Sequence, residues 1–204
     1  MVAPVERRSQ AQRRSETEHR VIEAATTLIA EKGSRAVSLA DVGRQAGYSR
    51  GIVNHHFGSK QQLLEAVVLS SQQFEVRPTS GSGIDRLLDF VTAYVDNLAG
   101  RSTKVRAFLQ LWAEALAADP VLEPLFAQRD GWFRDFLADL VDAGVKDGSL
   151  RPDADPDAVA VLLLGLLRGL GMQLLSKDTL PPLELVASTL VDVVRRGLAP
   201  HQPT

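Results

Sequence analysis

From Ser38 to Lys60 the chain reads SLADVGRQAGYSRGIVNHHFGSK, and the second half of this stretch collects hydrogen-bond donors without an acid. Ser49, Arg50, Asn54, His55 and His56 can donate, Lys60 adds a cation, and Gly51 leaves room for close approach. Such a set suits phosphate oxygens and the edges of base pairs in a major groove. It suits metal binding poorly. Adjacent His55 and His56 point about 100° apart on a helix and cannot chelate together as an i, i+4 pair does.

The elements that must position these groups are short helices. Ser38 is a good N-cap, and Leu39, Val42 and Ala46 then fall on one face. Gly47 stands where that helix must stop, at a position that favours positive φ. Ser49 caps a second helix carrying Ile52, Val53 and Phe57; Gly58 ends it and Ser59-Lys60 starts another. Two short helices joined by a glycine-containing turn are the helix-turn-helix pattern, with the motif at about 38–57. A short polar surface helix of any all-α protein can share this spacing.

The residues also carry a resemblance. An apolar helix ending near Gly33, then Ser38-Leu39, Ala46-Gly47, Ser49-Arg50-Gly51 and His55-His56-Phe57-Gly58-Ser59-Lys60 before Leu63-Leu64 resemble the DNA-binding motif of the TetR family of bacterial transcriptional regulators. The resemblance covers residues 16 to 70. It implies that Ser49, Arg50, Gly51, Asn54 and His55 enter a major groove, and that Ser38, His56 and Lys60 hold phosphates. Asn54 stands where the family usually has a tyrosine that touches the DNA backbone. An asparagine can donate to a phosphate or pair with an adenine edge.

Charge is distributed to match. Residues 1–60 hold ten Lys+Arg against six Asp+Glu, a charge of +4, and residues 61–204 hold 13 against 19, a charge of −6. A basic head on an acidic body places any polyanion at the head. Residues 1–14 read as a basic flexible arm, with Arg7, Arg8, Arg13 and Arg14 either following DNA or simply solvated. The apolar stripe Val21, Ala25, Leu28 and Ile29 predicts a helix over 16–32 that packs on Leu39, Val42, Ile52 and Phe57. A fourth helix is predicted over 60–76, and RPTSGSG at 77–83 reads as a linker. The head is therefore 15–76 and the body 83–204.

In the body five helices are predicted, over 84–99, 103–118, 121–147, 155–176 and 182–198, which makes an all-α chain of about nine helices. The run AVAVLLLGLLRGLGMQLL at 158–175 is apolar almost all round. It is short for a membrane span and holds Arg168 and Gln173, so no membrane is expected. Burial against the body on one side and a second subunit on the other explains it better, with Gly165, Gly169 and Gly171 allowing close approach. The resemblance implies a four-helix homodimer interface, and two heads would then read a palindromic operator in double-stranded DNA with half-sites roughly 34–36 Å apart.

The aromatics concentrate at 103–147. They are either ordinary core or the walls of a cavity for a small-molecule effector, lined by Phe108, Trp112 and Phe133 with Gln110, Glu114, Arg129, Arg168 and Gln173 as polar candidates. An arginine within an apolar helix needs an anion, a carbonyl or a carboxylate of the partner subunit, and the last is the simpler answer for Arg168. No cysteine is present, which fits a reducing, cytoplasmic setting. No GxSxG, phosphate loop or dinucleotide fingerprint occurs, so no catalytic residue, cofactor or metal is assigned. The sequence therefore reads as a ligand-responsive DNA-binding repressor, against the alternatives of a DNA binder without an effector or a helical enzyme.

Overall fold

The computed structural model describes residues 10–71, 80–175 and 180–200. Among these residues the chain forms nine helices and no strand. The head contains α1 (Gln10–Lys32), α2 (Leu39–Ala46), α3 (Arg50–Phe57) and α4 (Lys60–Ser70). The body contains α5 (Gly83–Ala99), α6 (Thr103–Leu116), α7 (Leu122–Lys146), α8 (Pro156–Leu175) and α9 (Leu183–Leu198).

α1 starts six residues earlier than its apolar stripe predicts. Arg14 pairs with Glu18 at 2.9 Å, and the Thr17 hydroxyl donates to the Arg13 carbonyl, so local bonds carry the helix outward from the core. The flexible arm expected over 1–14 is corrected accordingly: its last five residues are helical, while Arg7 and Arg8 lie outside the described residues. Residues 72–76 of the helix expected over 60–76 and residues 77–79 of the linker expected over 77–83 also lie outside them. Ser82 caps α5 through a reciprocal bond with Asp85.

In the head, Val21, Ala25 and Ile29 of α1 meet Val42, Val53, Leu63 and Val67 in a fully buried layer. Ile52 is not part of it. That side chain is 41% exposed, because the apolar side chains that α3 turns inward are Val53 and the half-buried Phe57. An eight-residue helix offers the core little more than one turn of side chains.

In the body, α7 packs between α8 and α5, and α9 lies on α5. α6 packs mainly on α1, so one continuous core runs from head to body. α8 buries Ala160, Leu163, Leu167 and Arg168 and leaves Val161, Leu162 and Leu166 exposed. Gly165 and Gly169 face open space on that outer side, while Gly171 turns inward against Leu109. Length and composition alone would let Pro156–Gln173 cross a membrane. Its inner face is instead built into the core around a cation.

Candidate nucleic-acid interface and effector cavity

The head presents α3 through two fixed joints. Gly47 adopts φ 78°, and the Tyr48 amide then donates to the Gly43 carbonyl at 2.8 Å. A side chain at Gly43 would meet the Tyr48 carbonyl oxygen at 2.8 Å, so α2 and the turn approach as closely as backbone permits. Ser49 caps α3 by accepting from the Ile52 amide at 3.3 Å. Ser49, Arg50, Gly51, Ile52, Asn54 and His55 are left exposed together. Arg50 makes no ion pair among the described residues. Ile52 is the member that sequence reasoning missed. Its exposed side chain can meet a thymine methyl group.

Three of the expected phosphate contacts have different surroundings. The Ser38 hydroxyl accepts from the Asp41 amide at 3.2 Å and donates to the Asp41 carboxylate at 2.6 Å. The Ser38 hydroxyl, and then the Ser38 amide, both donating to it, hold the Asp41 carboxyl below its ordinary value. Ser38 is thus spent on its own helix. His56 is turned toward α1, 13% exposed, with Nδ1 3.5 Å from Glu18. Arg14, and then His56, keep the Glu18 carboxyl low against its burial. Lys60 borders an open hollow of about 500 Å³ together with Arg35 and Arg50. Arg35 carries no motif signal and shows itself only through this placement.

In the body Phe108, Trp112, Arg129, Phe133 and Arg168 come together. The Arg129 guanidinium lies 4.6 Å from the Phe108 ring centre and 4.7 Å from that of Phe133. The Arg168 guanidinium lies 4.9 Å from Phe108 and 5.4 Å from Trp112. Arg168 does not await a partner-subunit carboxylate, which corrects the sequence expectation. It is 3% exposed, pairs with Asp130 of its own chain at 2.7 Å and donates to the Tyr94 hydroxyl at 3.3 Å. Arg129 reaches the same Asp130 oxygen at 3.3 Å. Burial pushes the Asp130 carboxyl up to about 6, opposed by Arg134; the two guanidiniums on its oxygen favour the ionised form at neutral pH. Burial also lowers Arg168 and raises Tyr94 from their ordinary values.

Two hollows meet at Arg129. One is a cavity of about 20 Å³ lined by Ser71, Tyr94, Asn97, Phe108 and Arg129. The other is an open groove of about 600 Å³ between α4 and α7, with Val68, Leu69, Leu125 and Trp132 around Arg129. Of the expected liners, Trp112, Phe133, Arg168 and Gln173 border neither hollow: the first three are packed in the aromatic cluster, and Gln173 is exposed near the end of α8, which corrects its expected place in the cavity. Gln110 and Glu114 face the head instead. Glu114 accepts from the Ser34 amide at 2.9 Å and from the Ser34 hydroxyl. Arg106 donates to the Ala30 carbonyl at 3.3 Å, and Asp119 stands 3.6 Å from Arg35. α6 and the loop after it therefore grip residues 30–35 while α6 also carries Phe108 and Trp112.

Residues 21–67 match the family described as bacterial regulatory proteins, tetR family, and residues 83–199 match the C-terminal region of the BetI-type transcriptional repressors. The chain is 29% identical over 145 residues to the HTH-type transcriptional repressor KstR2 of Mycolicibacterium smegmatis, covering 68% of this chain and 70% of that protein. Its fold is similar to a choline complex of a protein described as a transcriptional regulator from Saccharomonospora viridis, with a TM-score of 0.70 at 23% identity over 91% of this chain and 98% of that one. It is similar also to AibR bound to isovaleryl coenzyme A and operator DNA, with a TM-score of 0.67 at 20% identity over 87% and 97% of the two chains.

Proposed function

The chain belongs to the TetR family and is a DNA-binding transcriptional regulator, and from that premise we propose that it is a homodimeric repressor released from a palindromic operator by a small molecule. The observation that carries this reading is the exposed, acid-free surface of α3, where Arg50, Gly51, Ile52, Asn54 and His55 stand out around a single buried anchor, Val53. Ser49 and Asn54 donate to phosphates or base edges beside Arg50, and Lys60 with Arg35 holds a phosphate at the rim of the hollow. His55 borders the same surface. Ser38 and His56 support the surface from behind.

The outer side of α8 supports the dimer. Val161, Leu162 and Leu166 beside open Gly165 and Gly169 form an apolar strip with room for a second helix, and Leu185 and Val193 of α9 are exposed as well. Two α3 helices related by a two-fold axis would then meet successive major grooves. The chain works in the cytoplasm, with its DNA, and needs neither cofactor nor catalytic group for this. The basic residues before α1 reinforce backbone contact. The head, 15–76, meets DNA, and the body, 83–204, pairs and senses.

The effector acts through α6. A ligand that separates Phe108 or Trp112 from the arginines displaces α6, and α6 takes residues 30–35 and the start of α2 with it. Release requires that the ligand bind the two arrangements unequally.

The test combines sedimentation with binding to operator fragments selected from genomic DNA. Two subunits per duplex, and a salt slope reduced by about two units in Lys60→Ala, about one for each subunit, are expected. A monomer at micromolar concentration, or an unchanged slope, would remove the dimer or the phosphate role of Lys60 respectively.

A further inference from the structure

We infer that the effector is an organic carboxylate with an apolar body, its anion on Arg129 where the groove between α4 and α7 meets the inner cavity. The inference rests on the effector reading above and names the chemistry of that site.

Charge is the first ground. Arg129 and Arg168 have side chains 8% and 4% exposed, and they share a single carboxylate oxygen of Asp130. The Nε of each is buried without a hydrogen-bond partner, as is the hydroxyl of Ser71 on the wall of the small cavity. Two buried guanidiniums against one carboxylate leave a positive charge that a second anion would compensate. Arg129 is the one of the two that reaches both hollows.

The aromatic faces are the second ground. Phe108, Phe133 and Trp112 would otherwise attract a ligand cation. Here the protein's own guanidiniums already lie over them, at 4.6 to 6.0 Å. An incoming ammonium would meet like charge.

Shape is the third. The groove holds about 600 Å³, the size of a small-ligand site, and its walls include Leu69 and Trp132, which are 68% and 62% exposed. Glu65 also borders the groove. Its charge directs an anion away from itself and toward Arg129, with the apolar body along Leu69 and Trp132.

The chain's two tryptophans, Trp112 and Trp132, report on the cluster and the groove. The full-length protein is titrated with decanoate, decanol and decyltrimethylammonium while their fluorescence is followed. Decanoate is expected to bind at least about tenfold more tightly than decanol, the worth of one charged hydrogen bond, and the ammonium more weakly than either. In Arg129→Gln the ratio of decanoate to decanol should fall to about one, and Arg129→Lys should restore part of it; circular dichroism checks that both variants fold. Equal binding of the three probes, a preference for carboxylate that survives Arg129→Gln, or no binding by any probe would overturn the inference. Operator affinity is measured in parallel. Decanoate that binds through Arg129 and leaves operator affinity unchanged would sink the release mechanism while leaving the carboxylate site in place.

Discussion

Arg50 and Arg168 carry the same guanidinium into opposite surroundings. Arg50 stands on α3, exposed, with no ion pair among the described residues. Arg168 lies in α8 under aromatic rings, 3% exposed, and takes its carboxylate from α7 and a hydroxyl from α5. In the head, water solvates the cation until a polyanion arrives, so the fold needs nothing from it. In the body, burial makes the cation dependent on a partner at all times, so recognition and stability are tied together there. The head can change what it reads without changing how it folds. The body cannot.

The largest effect that would break this contrast is on Asp130. Asp130→Ala leaves two buried guanidiniums without their carboxylate and should cost about 3 kcal/mol of stability, read by urea unfolding at pH 7.5. Unchanged stability would mean that the body arginines are as well hydrated as Arg50. Next comes Arg50→Ala. It should weaken operator binding by about 1–3 kcal/mol and relax base preference at one position per half-site, while the melting temperature stays the same. Uniform weakening across sequences would make Arg50 a backbone contact.

Ser38→Ala sharpens the line between support and contact. Loss of the cap should lower stability by about 1 kcal/mol. Operator affinity should follow no further than stability does, since the hydroxyl is already bonded to Asp41; a larger drop in affinity would restore a direct phosphate contact. The smallest effect is one of pH. The Asp130 carboxyl, raised to about 6 by burial, is faced by Arg129, Arg134, Arg168 and Tyr94. Between pH 7.5 and 5.5 it takes up a proton and releases its hold on both guanidiniums. An alkylsulfonate probe, which stays ionised throughout, should therefore bind about threefold more tightly at the lower pH. Weaker binding there would show that Asp130 positions the arginines more than it competes for them.

Most of the head was legible because its signals are local. Ser38, Gly47, Ser49, Gly58 and Ser59 mark helix ends through bonds spanning three or four residues, and each lies at the boundary where its chemistry places it. Ile52 was misread because a helix of eight residues carries too few turns for its period to say which apolar side chain faces in. The early start of α1 was missed because Arg14–Glu18 pairing extends a helix beyond any apolar stripe. In the body the aromatic cluster could be read from i, i+4 spacing. The partner of Arg168 could not, since Asp130 is 38 residues away and looks like one surface acid among many. Glu114 has no motif either; only folding brings it to Ser34, 80 residues earlier.

That junction bears on how such proteins can be recombined. Ala30, Ser34 and Arg35 are held by Arg106, Glu114 and Asp119, so the natural cut at the Pro- and Gly-rich stretch between α4 and α5 severs the chain but not the fastening. A graft of this sensing half onto a foreign reading half would have to bring matching residues at the end of the foreign first helix. Without them the chimera would sense and would bind, and the two events would pass each other by.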